Sequence, residues 1–275
     1  MNRFDASAFV CPACERPHRI EAKMPNDPTL DASVQWRIDH GTIDLHEPGY
    51  RGTAEAILDA GLATEVRRLI SAGKEADVYL CAYNGAPLAV KAYRLYRTSH
   101  RGGRPIKVDT MSWMAAHEFE MMRQAWKGGA PVPAPARRVE NLLSIRYLGD
   151  EDGPAPRLKD VRLEAPEATL EAVLEGVDAL ARAGVVHSDL SAYNILVHQD
   201  RPWFIDFSDA IRVDRTGSVP WVRLTDARDE LRYGLRALGN YFRKYGLTID
   251  VDGRTAAIVA RLDRFGVLSD LDADR

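Results

Sequence analysis

With 275 residues, 45% of them hydrophobic and 28% charged, the chain has the apolar material for a sizeable core and the make-up of an ordinary globular protein. A net charge of −3 excludes a globally basic nucleic-acid binder, DNA included, so any basic surface must be local. No apolar stretch approaches the ~20 residues that span a bilayer. Only Cys11, Cys14 and Cys81 are present, an odd count that argues against a disulfide framework and for a reducing, cytoplasmic setting without membrane contact.

Residues 1–50 are rich in Pro, Asp and His and show weak periodicity, which predicts an irregular arm; with Asp5 and no apolar run before Cys11, its start is not a signal peptide. Cys11, Cys14 and His18 have the spacing of half a zinc knuckle, with His40 or His46 as a fourth ligand. There is no second C-x-x-C pair, so two reduced cysteines in an extended arm, with zinc absent or weakly held, is the expectation.

Apolar positions from Thr53 to Ile70 predict a helix broken near Gly61 and leading into a strand. A strand to Ala72, a tight turn at Gly73, a second strand, and a turn at Asn84-Gly85 into Leu88–Tyr93 then predict three antiparallel strands. Gly73-Lys74 does not belong to a Walker loop, because residue 68 is Arg and Glu75 stands where Ser or Thr would be needed. What it offers is a small turn whose N–H groups, with the Ser71 hydroxyl, can cover phosphates. Lys91 lies on a strand in an A-V-K setting that suits an ammonium held over α- and β-phosphates.

Six basic residues and no acids occur from Lys91 to Lys107, the mark of a solvated loop, which holds the hydroxyls of Thr98 and Ser99. Helical spacing follows through Trp113, Met114, Phe119, Met122 and Trp126, with Glu118 in position to orient Lys91. Pro131–Pro135 reads as a stiff turn into a strand Leu142–Gly149, where backbone groups of Arg146 and Leu148 are candidates for a purine edge. An Ala/Leu-rich helix over 167–183, closed at Gly184, leads to Val185-Val186-His187-Ser188-Asp189-Leu190-Ser191-Ala192-Tyr193-Asn194-Ile195-Leu196-Val197. After a turn comes Trp203-Phe204-Ile205-Asp206-Phe207-Ser208. The two apolar runs read as buried strands flanking a polar loop. Two further helices are expected at Leu224–Tyr245 and Thr255–Phe265.

In H-x-D-L-x-x-x-N followed by I-D-F, Asp189 can accept the proton of an attacking hydroxyl. Asn194 and Asp206 offer hard oxygens to Mg²⁺ on nucleotide phosphates. Any one of these residues alone would be an ordinary turn residue; five identities at fixed offsets between predicted strands point to phosphoryl transfer.

Over about residues 53–245 the chain resembles the RIO family of atypical serine/threonine protein kinases. The resemblance rests on S-A-G-K-E-A-D-V-Y (71–79), P-A-P-R-L-K-D-V (154–161), and H-S-D-L-S (187–191) with Ile205-Asp206. It implies an α+β, two-lobed, protein-kinase-like fold: a small antiparallel sheet at 51–148 and a mainly helical lobe at 149–275. It also implies ATP and Mg²⁺ as cofactors, autophosphorylation or ATPase turnover, Asp206 as acceptor of the γ-phosphoryl group, and a ribosomal subunit or RNA–protein assembly as partner; the expected autophosphorylation target is then Thr98 or Ser99 in the basic loop. Ser71, Gly73, Lys74, Lys91, Glu118, Arg146 and Leu148 are the expected ATP-binding residues, Asp189 and Asp206 the catalytic ones, and Asn194 and Asp206 the metal ligands. The chain departs from the family at Tyr233-Gly234, where a charged pair is expected, and no A-P-E element of an ordinary kinase activation segment is seen. A small-molecule kinase, disfavoured by residues 71–79, and an ATP-gated binding module with slow hydrolysis are the rival readings.

Overall fold

The computed structural model describes residues 50–73, 76–93, 110–150, 152–213 and 220–263. Cys11, Cys14, His18, His40, His46, Lys74, Thr98 and Ser99 lie outside the described residues, and with them the zinc and loop-target expectations. The described residues up to Ala116, with Ala136–Tyr147, form one compact unit, and His117–Pro135 with the described residues from Leu148 onward form another.

The first unit is built on a five-stranded sheet of order β1-β2-β3-β5-β4. Its strands are β1 (Glu65–Ala72), β2 (Ala76–Tyr83), β3 (Ala86–Tyr93), β4 (Pro135–Val139) and β5 (Leu142–Arg146). Helix α1 (Tyr50–Asp59) ends before Gly61, whose φ of +62° turns the chain into β1. Ile57 of α1, with Leu62, packs on Tyr79, Cys81, Val90 and Ala92. Strand side chains alternate between faces, so Val78, Leu80 and Ala89 occupy the other face, in contact with Tyr147. Leu142–Gly149 is therefore shorter as a strand than expected, and the segment entering it forms β4 rather than only a stiff turn. A glutamate at 140 with φ +48° closes the β4–β5 connection. Burial drives the Cys81 thiol up to about 12, with Glu65 adding to the shift, which makes it an inert core residue.

Helix α2 (Thr110–Lys127) has a buried stripe at Ala115, Glu118, Met122 and Ala125, whereas Trp113 and Trp126 of the expected apolar face are exposed. The 3,4,3 spacing of this stripe is what carries Glu118 inward.

The second unit is mainly helical. α3 (Pro166–Arg182) starts on a proline and stops at Gly184, whose φ is +74°. It buries Leu170, Val173, Val177 and Leu180. α4 (Pro220–Phe242), which continues into a 3-10 turn at Arg243–Tyr245, buries Leu231, Leu235, Leu238 and Phe242. α5 (Val251–Leu262) is capped by Asp250, whose side chain accepts from Gly253 N.

The strands flanking the polar loop do not pair with each other. Val185–Val186 (β6) pairs with Ile211–Arg212 (β9), and Ile195–His198 (β7) pairs with Arg201–Phe204 (β8). Gln199 and Asp200, both with positive φ, make the tight β7–β8 turn. Among the described residues no helix is long and apolar enough to cross a membrane.

Phe204 is fully buried and sits against Gly176 of α3, where an added Cβ would come within 2.4 Å of Phe204 Cε2 and 3.1 Å of Pro131 Cγ. Gly176→Ala is expected to lower unfolding stability by roughly 1–2 kcal/mol, because a contact this close places the overpacking cost at about 2–3 kcal/mol, in the upper part of its usual range, against a helix-propensity gain of about 1 kcal/mol. Urea titration would check this; an unchanged or raised midpoint would contradict the packing.

Candidate active site

The candidate site in the second unit is assembled by three ties onto one short segment. Ile205 N donates to Asn194 O at 3.0 Å, and the Ile205 carbonyl meets His187 Nε2 at 2.9 Å. On the far side of Asp206, Phe207 N donates to Glu118 Oε1 at 3.0 Å. Between these ties Asp206 has φ +67°, a left-handed conformation that small polar residues tolerate better than branched ones. Its Oδ1 accepts from Ser208 Oγ at 3.2 Å.

The loop from β6 to β7 supplies the rest. Asn194 is buried, and its Nδ2 donates both to Asp189 Oδ2 at 2.7 Å and to Asp189 O at 2.9 Å. One amide thus fixes the Asp189 carboxylate and the loop backbone together. Asn194 N donates to Ser191 O at 3.1 Å, closing the turn. Leu190 is buried against Gly234 of α4, where an added Cβ would lie 2.6 Å from Leu190 Cβ. The Tyr233-Gly234 departure noted in the sequence is therefore a place where helix and loop approach closely.

His187 is nearly fully buried and packs on Phe207 with ring centroids 4.7 Å apart. Burial holds its pKa below the usual range, against the opposing pull of the Ile205 carbonyl, Asp206, Asp189 and Glu118. A neutral ring donating from Nε2 to Ile205 follows. Its role as a tie, like that of Ser208, went unassigned in the sequence reading, although H-x-D and D-F-S were both in view.

The structure brings Asp189, Asn194, Asp206 and Glu118 into this unit. Leu148 belongs to it as well, with its carbonyl accepting from Ala155 N at 2.9 Å. Ser71, Gly73, Lys91 and Arg146 lie in the sheet unit. A bulge between Leu69 and Ser71 shifts the register so that Ser71 opposes Val78, which in turn opposes Lys91. Ser71 and Lys91 thereby stand on the same sheet face, opposite α1 and two strands apart, roughly 10 Å. Lys91 Nζ lies 4.9 Å from the Tyr93 ring centroid. Gly73 N donates to Ala76 O at 2.9 Å, and an added Cβ at Gly73 would meet that oxygen at 2.7 Å.

The residues fit a divalent cation with few protein ligands. Because the Asn194 NH₂ is engaged by Asp189, its Oδ1 is the atom left to offer, and Asp206 adds a carboxylate. Among the described residues no group of three His, Cys, Asp or Glu forms a metal cage, and Mg²⁺ does not need one, since it binds through one or two protein oxygens plus water and phosphate.

The RIO domain model matches residues 77–254. The chain belongs to the RIO family. The chain is 32% identical over 197 residues to the RIO-type serine/threonine-protein kinase Rio1 of Haloferax volcanii, covering 66% of this chain and 65% of that protein. It is 28% identical over 213 residues to the serine/threonine-protein kinase RIO1 of Homo sapiens, covering 69% of this chain and 37% of that one. The chain thus spans less than two thirds of either relative. The fold is the kinase-like one of the Rio2 kinase of Chaetomium thermophilum in its ADP/Mg²⁺-phosphoaspartate complex. There the TM-score is 0.57 at 18% identity, covering 88% of this chain and 81% of that one.

The buried His187 gives a signed pH dependence. The unfolded chain takes up a proton near the ordinary value of 6.5, which the folded RIO domain resists. The stability tied to the neutral ring is therefore complete above that value and is lost as pH falls through it toward the lower folded pKa. Unfolding free energy should drop more steeply between about pH 7.5 and 5.5 in the wild type than in His187→Gln. Parallel slopes in urea titrations would refute this.

Proposed function

We propose that this chain is an ATP- and Mg²⁺-dependent RIO-type serine/threonine kinase whose γ-phosphoryl transfer runs through Asp206 as an aspartyl-phosphate. The carrying observation is the backbone clamp on both sides of Asp206, which fixes its carboxylate while its own φ of +67° takes it out of the regular strand. Backbone held in an uncommon conformation by its surroundings is a recurrent property of reacting residues. The relatives' names, and the phosphoaspartate in the Rio2 complex, support the same reading.

In this mechanism an Asp206 carboxylate oxygen attacks Pγ, the bond from Pγ to the bridging oxygen breaks, and ADP leaves with the electron pair. Asp189, oriented by Asn194, then takes a proton from water as that water attacks the acyl phosphate, which releases phosphate and restores Asp206. On the serine/threonine branch Asp189 orients the acceptor hydroxyl in the same way. Asn194 and Asp206 would hold Mg²⁺, which when bound neutralises charge on the phosphates. Lys91, with Ser71, Gly73 and Lys74, would position the α- and β-phosphates. Glu118 would act by fixing Phe207, and therefore Asp206, as well as by orienting Lys91. Backbone groups of Arg146 and Leu148 would face the purine. Slow hydrolysis through an acyl phosphate also suits a timer on a ribosomal or RNA–protein partner, which the family resemblance supports.

Hydroxylamine, which cleaves acyl phosphates and spares phosphoserine, separates the roles. Label from γ-labelled ATP should be released from trapped wild type and be absent from Asp206→Asn. Asp189→Ala should retain acyl-phosphate label about a hundredfold longer while losing serine/threonine label, and Lys91→Ala should lose both with an unchanged melting temperature. Hydroxylamine-stable label alone, undiminished in Asp206→Asn, would sink the covalent role.

A further inference from the structure

The loop carrying Asp189 and Asn194 is supported from behind by residues that the mechanism leaves unused. Residues 156–163 run alongside it. Lys159 N donates to Ala192 O at 3.1 Å in mid-loop, and Val197 N donates to Pro156 O at 2.8 Å just beyond it. Arg157 bridges to Leu196 in β7. The centre of this segment is the 3-10 turn Leu158–Asp160, with the Leu158 side chain fully buried.

The other side of the turn is held by the end of α4. Tyr241 Oη donates to Leu158 O at 2.5 Å, and Leu163 N donates to Tyr245 Oη at 3.2 Å. A short hydrogen-bonded line therefore runs from Tyr241 through Leu158 and Lys159 to Ala192. α4 also approaches the loop at Gly234, which has no side chain to hydrogen-bond and lies against Leu190. Burial first, and the neighbouring Tyr245 second, push the Tyr241 hydroxyl above the ordinary phenol range, which keeps it a donor. Its ring is fixed independently of that hydroxyl, edge-on to Phe242 at 5.0 Å and under Lys244 Nζ at 4.0 Å.

We infer that Tyr241 is a positioning residue for phosphoryl transfer: its hydroxyl, acting through the Leu158 carbonyl and the 3-10 turn, sets where Asp189 and Asn194 stand relative to Asp206. The inference rests on reading that centre as a phosphoryl-transfer site. Displacements of a fraction of an ångström in such a centre act on the chemical step rather than on nucleotide binding.

Tyr241→Phe removes the hydroxyl and keeps the ring contacts, so the full-length variant can be compared with wild type in two measurements. Amide hydrogen exchange without nucleotide should accelerate about tenfold at Lys159 and Val197 and stay unchanged in the α3 core. In ATP turnover, kcat should fall about tenfold with KM for ATP within about twofold. Unchanged exchange at Lys159 and Val197, equal acceleration across the whole unit, or an unaltered kcat would each overturn the inference. An inactive wild type would count against the phosphoryl-transfer reading, and the exchange measurement, which needs no nucleotide, would still support or overturn the brace.

Discussion

The hydrogen bond from Phe207 N to Glu118, with the two bonds on Ile205, is the constraint on which the rest of the site depends. A left-handed residue costs about 1–2 kcal/mol. Three hydrogen bonds contribute about 1 kcal/mol each, and more where the acceptor is a carboxyl group, so together they can hold Asp206 in a conformation that an isolated strand would abandon. Because the Ile205 bonds come from the segment that carries Asp189, Asp206 and Asp189 are registered to each other through one backbone bond and one buried imidazole.

Those ties have a local cost in unsatisfied polar atoms. His187 uses Nε2 on Ile205, and its Nδ1 is buried without a partner, as is Ser188 Oγ beside it. A buried polar atom in this state costs about 1–3 kcal/mol. The two sit immediately before Asp189, so the chain tolerates local expense where the site is built and recovers it in the surrounding packing. That packing is close: Phe204 against Gly176 below the β7–β8 hairpin, and Leu190 against Gly234 below the loop. In both places a glycine lets main chain or ring approach to a distance that any Cβ would prevent.

The helices and the sheet turn were legible because local signals fix them. Pro166 and Gly184 bracket α3, Asn84-Gly85 makes a hairpin, and apolar spacing marks α1 and α4. The identities of Asp189, Asn194 and Asp206 were legible for a similar reason, since chemistry demands certain residue types at certain offsets. Trp113 and Trp126 misled because size and aromaticity suggest burial, whereas the buried stripe of α2 runs through Ala115, Glu118, Met122 and Ala125. The Val185–Val186 and Ile195–His198 runs were legible as strands but their partners were not, because each pairs with a segment that follows the loop.

By itself, then, the sequence determined the sheet's first three strands, the helix boundaries to within a few residues and the residue types of the candidate site, all of which depend on neighbours close along the chain. The tertiary structure decided what depends on distant partners. A bulge in β1, set by register against β2, turned Ser71 to the face of Lys91. Glu118 became an acceptor for a backbone amide 89 residues away, and Tyr241 a donor to a carbonyl 83 residues away. A periodic pattern gives the face on which a residue lies. It carries no information about which distant backbone group will meet that face, because that is fixed only when packing closes the chain on itself.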